Sequence, residues 1–164
     1  MKKIAAVVLF VLLSVNLVAQ IKYDPLKITR KKFSVLVFVS NKLFYEKESV
    51  KLSKSDKYDL GVIANGLLQN KDLKVQIEAY YDTTLDPEAS KNITQKRAEA
   101  IKNYLVTCGV NPENLIAKGY GDTVIINKCK PFVKCTELEH AANRRVEFKI
   151  LNPEKLENYK MVKK

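Results

Sequence analysis

Asp82 and Arg97 are the residues through which this chain has the means to do chemistry. Asp82 follows a stretch in which Leu73, Val75, Ile77 and Ala79 alternate with Lys74, Gln76, Glu78 and Tyr80, the period-two pattern of a half-buried strand. Fifteen positions later Arg97 falls inside a helical arc formed by Ile93, Ala98, Ile101, Tyr104, Leu105 and Cys108. Lys91, Gln95, Lys96, Glu99, Lys102 and Asn103 fall outside that arc. A guanidinium aimed at a core needs an anion, because an unpaired buried charge is costly. Asp82, at the adjoining strand end, is the acid best placed to supply it. Arg144 shares the phase of Val146, Phe148 and Ile150 if the last strand reaches that far, with Arg145 on the other side.

Two chemistries suit this set. Asp82 and Arg97 can form an internal ion pair that fixes a loop. Alternatively, one acid and two arginines can line a shallow pocket for a zwitterion, whose carboxylate meets arginine as a bidentate pair and whose ammonium meets aspartate. The cysteines are a second constellation. Cys129 and Cys135 lie six apart in a polar stretch and suit a disulfide in an oxidising compartment. The rival is a metal site with Cys108 and His140, but the spacing matches no standard zinc pattern. Cys108 lies on the apolar stripe and reads as a buried thiol. His140, the one histidine, reads as a structural or solvated residue.

The elements that must position these residues are legible in turn. Phe33 to Val39 is nearly all apolar and β-branched, a strand buried on both faces, and Leu43 to Lys47 suits a second. Ser53 and Asp56 have capping-box spacing ahead of Leu60, Ile63, Ala64, Leu67 and Leu68, one face of a helix. After the Leu73–Tyr80 strand, Asp86-Pro87-Glu88 starts a helix by cap, proline and dipole, and it runs to about Cys108, where Gly109 stops it. Leu115 to Ala117 is a short strand, and Gly119-Tyr120-Gly121-Asp122 turns out of it. Residues 122–142 read as a long loop, and Val146, Phe148 and Ile150 mark the final strand. The order β-α-β-α-β-β predicts an α/β (α+β) two-layer sandwich, with two helices on one face of a mixed sheet.

Length and composition bound the rest. With 164 residues, 46% hydrophobic and 29% charged, the chain suits one globular domain and neither a disordered tail nor a multispanning membrane protein. Its net charge of +11 favours anionic partners. Lys2 and Lys3, the apolar run Ile4 to Leu13 and Leu17-Val18-Ala19 have the layout of a secretory signal peptide, residues 1–19. A retained anchor is the alternative, though the run is shorter than the ~20 residues a spanning helix needs. With the leader removed, no transmembrane segment is expected. No cysteine closely follows the run, so a lipoprotein anchor lacks its attachment residue. Export points to the periplasm or outer membrane and away from nucleic acid, for which basic residues interleaved with aromatics would also be needed. The segments are then a leader, a linker with a short extra strand over 20–39, a domain over 40–151 and a basic tail over 152–164. No nucleophile–histidine motif, phosphate loop or convincing metal set is visible, so a non-catalytic protein without cofactor is expected.

Asp82, Arg97-Ala98, Gly119-Tyr120-Gly121 and Asn143-Arg144-Arg145-Val146-Glu147 together resemble the OmpA-like domain, the peptidoglycan-associating module at the C-terminus of outer membrane protein A, over about residues 40–151. Cys129 to His140 resembles the cysteine-containing version of that domain. The resemblance implies a sandwich of helices on a mixed sheet. It also implies noncovalent binding of the peptidoglycan peptide stem through the zwitterionic end of diaminopimelate, at Asp82, Arg97 and Arg144. The residues around the site depart from the family pattern. Ala79-Tyr80-Tyr81 replaces Gly-His/Tyr-Thr, Leu85 replaces a loop glycine, and Ala89-Ser90 replaces Tyr-Asn. The resemblance therefore leaves two functions open: wall binding, or an envelope domain for structure or protein interaction that no longer holds the wall.

Overall fold

The computed structural model describes residues 27–30, 36–40 and 48–156. Among them five strands form one mixed sheet: β1 (Lys27–Arg30), β2 (Leu36–Ser40), β3 (Val75–Tyr80), β4 (Leu115–Gly121) and β5 (Arg145–Ile150). Their spatial order is β1-β2-β5-β3-β4. β5 is antiparallel to both β2 and β3, while β3 and β4 are parallel. Among the described residues three α-helices accompany the sheet: α1 (Lys54–Gln69), α2 (Pro87–Thr107) and the short α3 (Glu137–Ala141). The architecture is the predicted α+β sandwich, with one more helix than expected. The leader and the expected strand at Leu43 to Lys47 lie outside the described residues.

Local signals account for the helix ends. Ser53 caps α1 reciprocally with Asp56: the Asp56 N–H donates to the Ser53 hydroxyl at 3.1 Å, and the Ser53 N–H donates to the carboxylate at 2.7 Å. Asp86 caps α2 by accepting from the Ala89 N–H at 2.9 Å, with Pro87 in the first turn. Gly109, at φ +99°, ends it. Leu60 and Ala64 of α1 and Ala98, Ile101 and Leu105 of α2 close over Val75, Ile77 and Ala79 of β3, Leu115 of β4, and Val146, Phe148 and Ile150 of β5. Each large side chain so buried is worth about 1.5–3 kcal/mol, and together they make the sheet and two long helices one unit.

Four expectations are corrected. Lys27–Arg30, read as linker, pairs with β2 as an edge strand. Among the described residues this strand is paired on one side only, and backbone pairing of that kind does not require an apolar pattern. β4 continues through Gly121 instead of turning out at Gly119. A Cβ at Gly119 would lie 2.2 Å from the Gln95 nitrogen and 2.6 Å from the Thr94 carbonyl carbon, so glycine there lets α2 rest directly on β4. The 122–142 stretch is not all loop: Thr136 and Glu139 form a capping box that starts α3. Cys108 is a free thiol but only half-buried.

The second face of the sheet also departs from simple alternation. Arg145 does point away from the core, yet it is buried. Its guanidinium lies 4.0 Å from the centroid of the Tyr80 ring, and its Nε donates to Glu147 at 2.7 Å. Tyr80 stacks on Tyr120 at 5.1 Å and donates its hydroxyl to Glu78 at 2.6 Å. Burial, then the hydrogen bond and charge of Glu78, push the Tyr80 phenol well above its ordinary range.

Candidate functional site

The site forms where β3 hands over to the loop before α2. Asp82 is 0% exposed and Arg97 2% exposed, as their places on strand end and helix arc demand. The Asp82 carboxylate accepts from the Thr84 N–H at 2.9 Å, from the Thr84 hydroxyl, and from Nη1 of Arg144. The other arm of that guanidinium, Nη2, donates to Glu137 of α3. Arg144 thus bridges one buried and one exposed carboxylate, the Glu137 side chain being 66% exposed. This use of two separate arms suits a planar guanidinium and not an ammonium.

The ion pair expected between Asp82 and Arg97 is therefore made by Arg144 instead. Arg144 lies just before β5, where its N–H donates to the Ala141 carbonyl at 3.2 Å and the chain is leaving α3. That bend, not strand phase, directs its side chain to Asp82. Arg97 donates from Nε to the Ser49 carbonyl at 2.8 Å, and its guanidinium lies 5.2 Å from the centroid of the buried Tyr81 ring. It remains in electrostatic reach of Asp82 and Arg144, so all three predicted site residues come together. Burial is the main influence pulling the Arg97 guanidinium below its ordinary range, and the nearby positive charge of Arg144 adds to it. Burial would also lower Arg144, but the hydrogen bonds and charges of Asp82 and Glu137 outweigh it and push that group up.

Glu137 is a member of the site that sequence reasoning missed. The signal that would have found it is Thr136-x-x-Glu139, the capping box that places α3, and with it Glu137, next to Arg144. The departures from the family pattern also acquire places. Leu85 has no positive φ, the described non-glycine residues of that kind being Glu48 and Phe132, so this loop takes a backbone that does not ask for glycine. Leu85 and Ala89 instead line an open depression of about 390 Å³, together with Glu48, Val50, Asn92, Ile93 and Lys96. Ser90 is fully buried, its hydroxyl oxygen 3.1 Å from the Pro87 carbonyl and 3.2 Å from Asp122, two acceptors for its single proton that lie on α2 and just past the end of β4.

The cysteines behave as the disulfide reading requires. Cys129 and Cys135 are bonded, with Cα atoms 5.9 Å apart. Their sulfurs and Glu139 are the one metal-type cluster among the described residues, and the disulfide and the α3 capping box already account for all three. The buried base of the loop touches the site: the Thr83 hydroxyl donates to the Cys129 carbonyl at 3.1 Å.

Residues 44–137 match the model of the OmpA family, more than half of the chain. The chain belongs to that family. Its OmpA-family region is 30% identical over 80 residues to the sodium-type flagellar protein MotY of Vibrio parahaemolyticus, covering 48% of this chain and 27% of that protein. The chain thus spans about a quarter of that relative's length. Among the solved structures that share this fold are two named for their place at the cell wall. The peptidoglycan-associated lipoprotein of Burkholderia pseudomallei has a TM-score of 0.59 at 21% identity, over 66% of this chain and 87% of that one. The cell wall anchor of the T6SS from Pseudomonas aeruginosa has a TM-score of 0.64 at 20% identity, over 82% and 92%. No described helix of this OmpA-family chain is long and apolar enough to cross a membrane.

Proposed function

We propose that this protein is a non-catalytic component of the cell envelope that binds peptidoglycan noncovalently, through the zwitterionic end of a diaminopimelate-type peptide stem. The observation that carries the reading is the Arg144 bridge. One arm is committed to buried Asp82, and the other meets Glu137, an exposed group that a ligand carboxylate can displace. Arg97 supplies a second buried guanidinium in the same electrostatic neighbourhood. Asp82 receives the ligand ammonium. The depression lined by Leu85, Ala89 and Ile93 opens from the loop that begins at Asp82 and offers room for the aliphatic part of a stem. The names of the peptidoglycan-associated lipoprotein and the cell wall anchor support the same placement in the envelope, next to the wall. The signal-peptide layout of residues 1–19 supports export to the periplasm.

A specific observation favours a second reading. Asp82 is fully buried, and its oxygens already accept from Thr84 and Arg144. A ligand ammonium must compete for a satisfied carboxylate. On this reading the triad is structural, and the domain serves envelope architecture or protein contacts without holding the wall. Sedimentation of the protein with purified peptidoglycan separates the two. Wall binding predicts co-sedimentation that is lost in Asp82→Ala and Arg97→Ala and reduced in Arg97→Lys, with native circular dichroism throughout. Retained binding in Asp82→Ala and Arg97→Ala would remove the zwitterion model. No sedimentation of the parent protein would leave the structural reading.

A further inference from the structure

Between its two bonded cysteines the chain reads Lys130-Pro131-Phe132-Val133-Lys134, with no acidic residue from Lys128 to Cys135. The Val133 N–H donates to the Lys130 carbonyl at 3.1 Å, closing a turn with Pro131 second and Phe132 third. Phe132 has φ +69°. A positive φ at the third position behind a proline marks a type II turn, and that position normally holds glycine because a side chain there meets its own backbone. Here it holds a phenylalanine that is fully exposed to solvent, beside Val133 at 43% exposure. Phe132 therefore adds strain to the turn and contributes nothing to the core. A strained, outward-facing aromatic is a sign of a contact made with something else.

The base of this finger is rigid. Cys129 is fully buried, its N–H donates to Asn127 at 3.0 Å, and its carbonyl accepts from Thr83. The disulfide then closes the loop, so the tip is presented with little freedom to lose on docking. Exposed Lys130 and Lys134 flank the apolar tip. We infer that this finger is a membrane-surface contact, with Phe132 and Val133 entering the interface of an anionic bilayer while Lys130 and Lys134 meet lipid phosphates. Weak apolar insertion and basic attraction act together in peripheral membrane binding, neither sufficing alone. A protein partner fits less well, because a stable protein interface takes about 800 Å² from each side, far more than one tight turn offers. The inference does not depend on wall binding.

The chain has no tryptophan, so a Phe132→Trp substitution in the full chain places a single reporter at the tip. All other residues, including the apolar leader, are common to every arm. Its emission should shift to the blue with phosphatidylglycerol vesicles, be quenched by acyl-brominated lipid, and return to its free position at about 0.5 M salt, where charges are screened within a few ångströms. Lys130→Gln and Lys134→Gln should each weaken the response about fivefold. In vesicle sedimentation, Phe132→Gly should bind about tenfold or more weakly while melting no lower than the parent, since glycine relaxes the turn. Emission unmoved by phosphatidylglycerol would overturn the inference, as would an equal shift with phosphatidylcholine that ignores both lysines. A shift with soluble polyglutamate but not with vesicles would overturn it in favour of an acidic polypeptide.

Discussion

Asp82 and Glu137 hold the same arginine, yet their removal should cost very different amounts. Asp82→Asn keeps the shape of the side chain and the acceptor for Thr84, but removes the charge facing Nη1 of Arg144 and sets an amide N–H there in place of the accepting oxygen. The guanidinium stays buried, at 7% exposure, with one arm uncompensated. Breaking a buried pair from one side typically costs about 3–5 kcal/mol. Because Glu137 still holds the other arm, the lower end, about 3 kcal/mol, is expected here. Glu137→Gln removes a partner that is mostly in water, and exposed pairs contribute about 0–1 kcal/mol. With a urea slope of about 1–3 kcal/mol per molar, the first change lowers the unfolding midpoint by a molar or more and the second barely moves it. Arg144→Gln added to Asp82→Asn should recover part of the loss, since it removes the stranded charge, and the double-mutant cycle gives the coupling directly. Urea unfolding followed by circular dichroism measures all five proteins, the Arg144→Gln single variant included. An Asp82→Asn variant within about 0.5 kcal/mol of the parent, the scatter of ordinary surface substitutions, would refute the buried bridge. So would a Glu137→Gln loss as large as that of Asp82→Asn.

Gly119→Ala should destabilise the protein by about 2 kcal/mol or more, because its Cβ would meet backbone atoms of Thr94 and Gln95 that cannot rotate away; an unchanged melting temperature would contradict the close approach of α2 and β4. Glu139 is held down to about 2, first by the Thr136 backbone N–H and then by hydrogen bonds from Lys128 and the Thr136 hydroxyl. Its folded value lies below its usual 4.5, so its support for α3 is present above pH 4.5 and fades as pH falls towards 2; a carbon-detected titration of that carboxyl with a midpoint near 4.5 would contradict this. Alkylation of the unfolded chain should label Cys108 alone before reduction and all three cysteines after it. Reduction should lower stability by about 2 kcal/mol, the chain-entropy value for a loop this short.

Local signals foretold most of the fold. Helix caps at Ser53 and Asp86 and the alternation in β3 and β5 act through neighbours a few residues apart, so the sequence displays them directly. β1 carries no apolar pattern, because an edge strand is held by backbone hydrogen bonds to which any side chain is compatible. The nearness of Asp82, Arg97 and Arg144 was legible, whereas Glu137 and the pairing were not. Arg97 stood out because a cation on an apolar arc has few explanations. Which arginine meets Asp82 depends on where α3 releases the chain into β5, a tertiary fact that no spacing encodes. The same holds for the Tyr80, Tyr120, Arg145 and Glu147 cluster, whose residues read as solvent-facing until three strands bring them together.

The run Asn143-Arg144-Arg145-Val146-Glu147 is best understood as a junction at which five side chains serve four different surroundings. Asn143 is fully buried; it accepts from the Ile126 N–H at 2.9 Å and donates to Asn127 at 2.9 Å, so it anchors the cysteine loop. Arg144 turns to the Asp82 loop, Arg145 and Glu147 to the second face of the sheet, and Val146 to the core. Asn127 in turn holds the Cys129 N–H, and the Cys129 carbonyl receives the Thr83 hydroxyl next to Asp82. The disulfide loop and the charged site therefore share one frame, closed from both ends by residues adjacent to the pair they support. A change that loosens the loop base, such as reduction of the disulfide or loss of Asn143, acts on Asp82 and Arg144 together, whereas a change at the Phe132 tip leaves that frame intact. That separation is what allows the proposed wall binding and the proposed membrane contact to be tested independently in one folded protein.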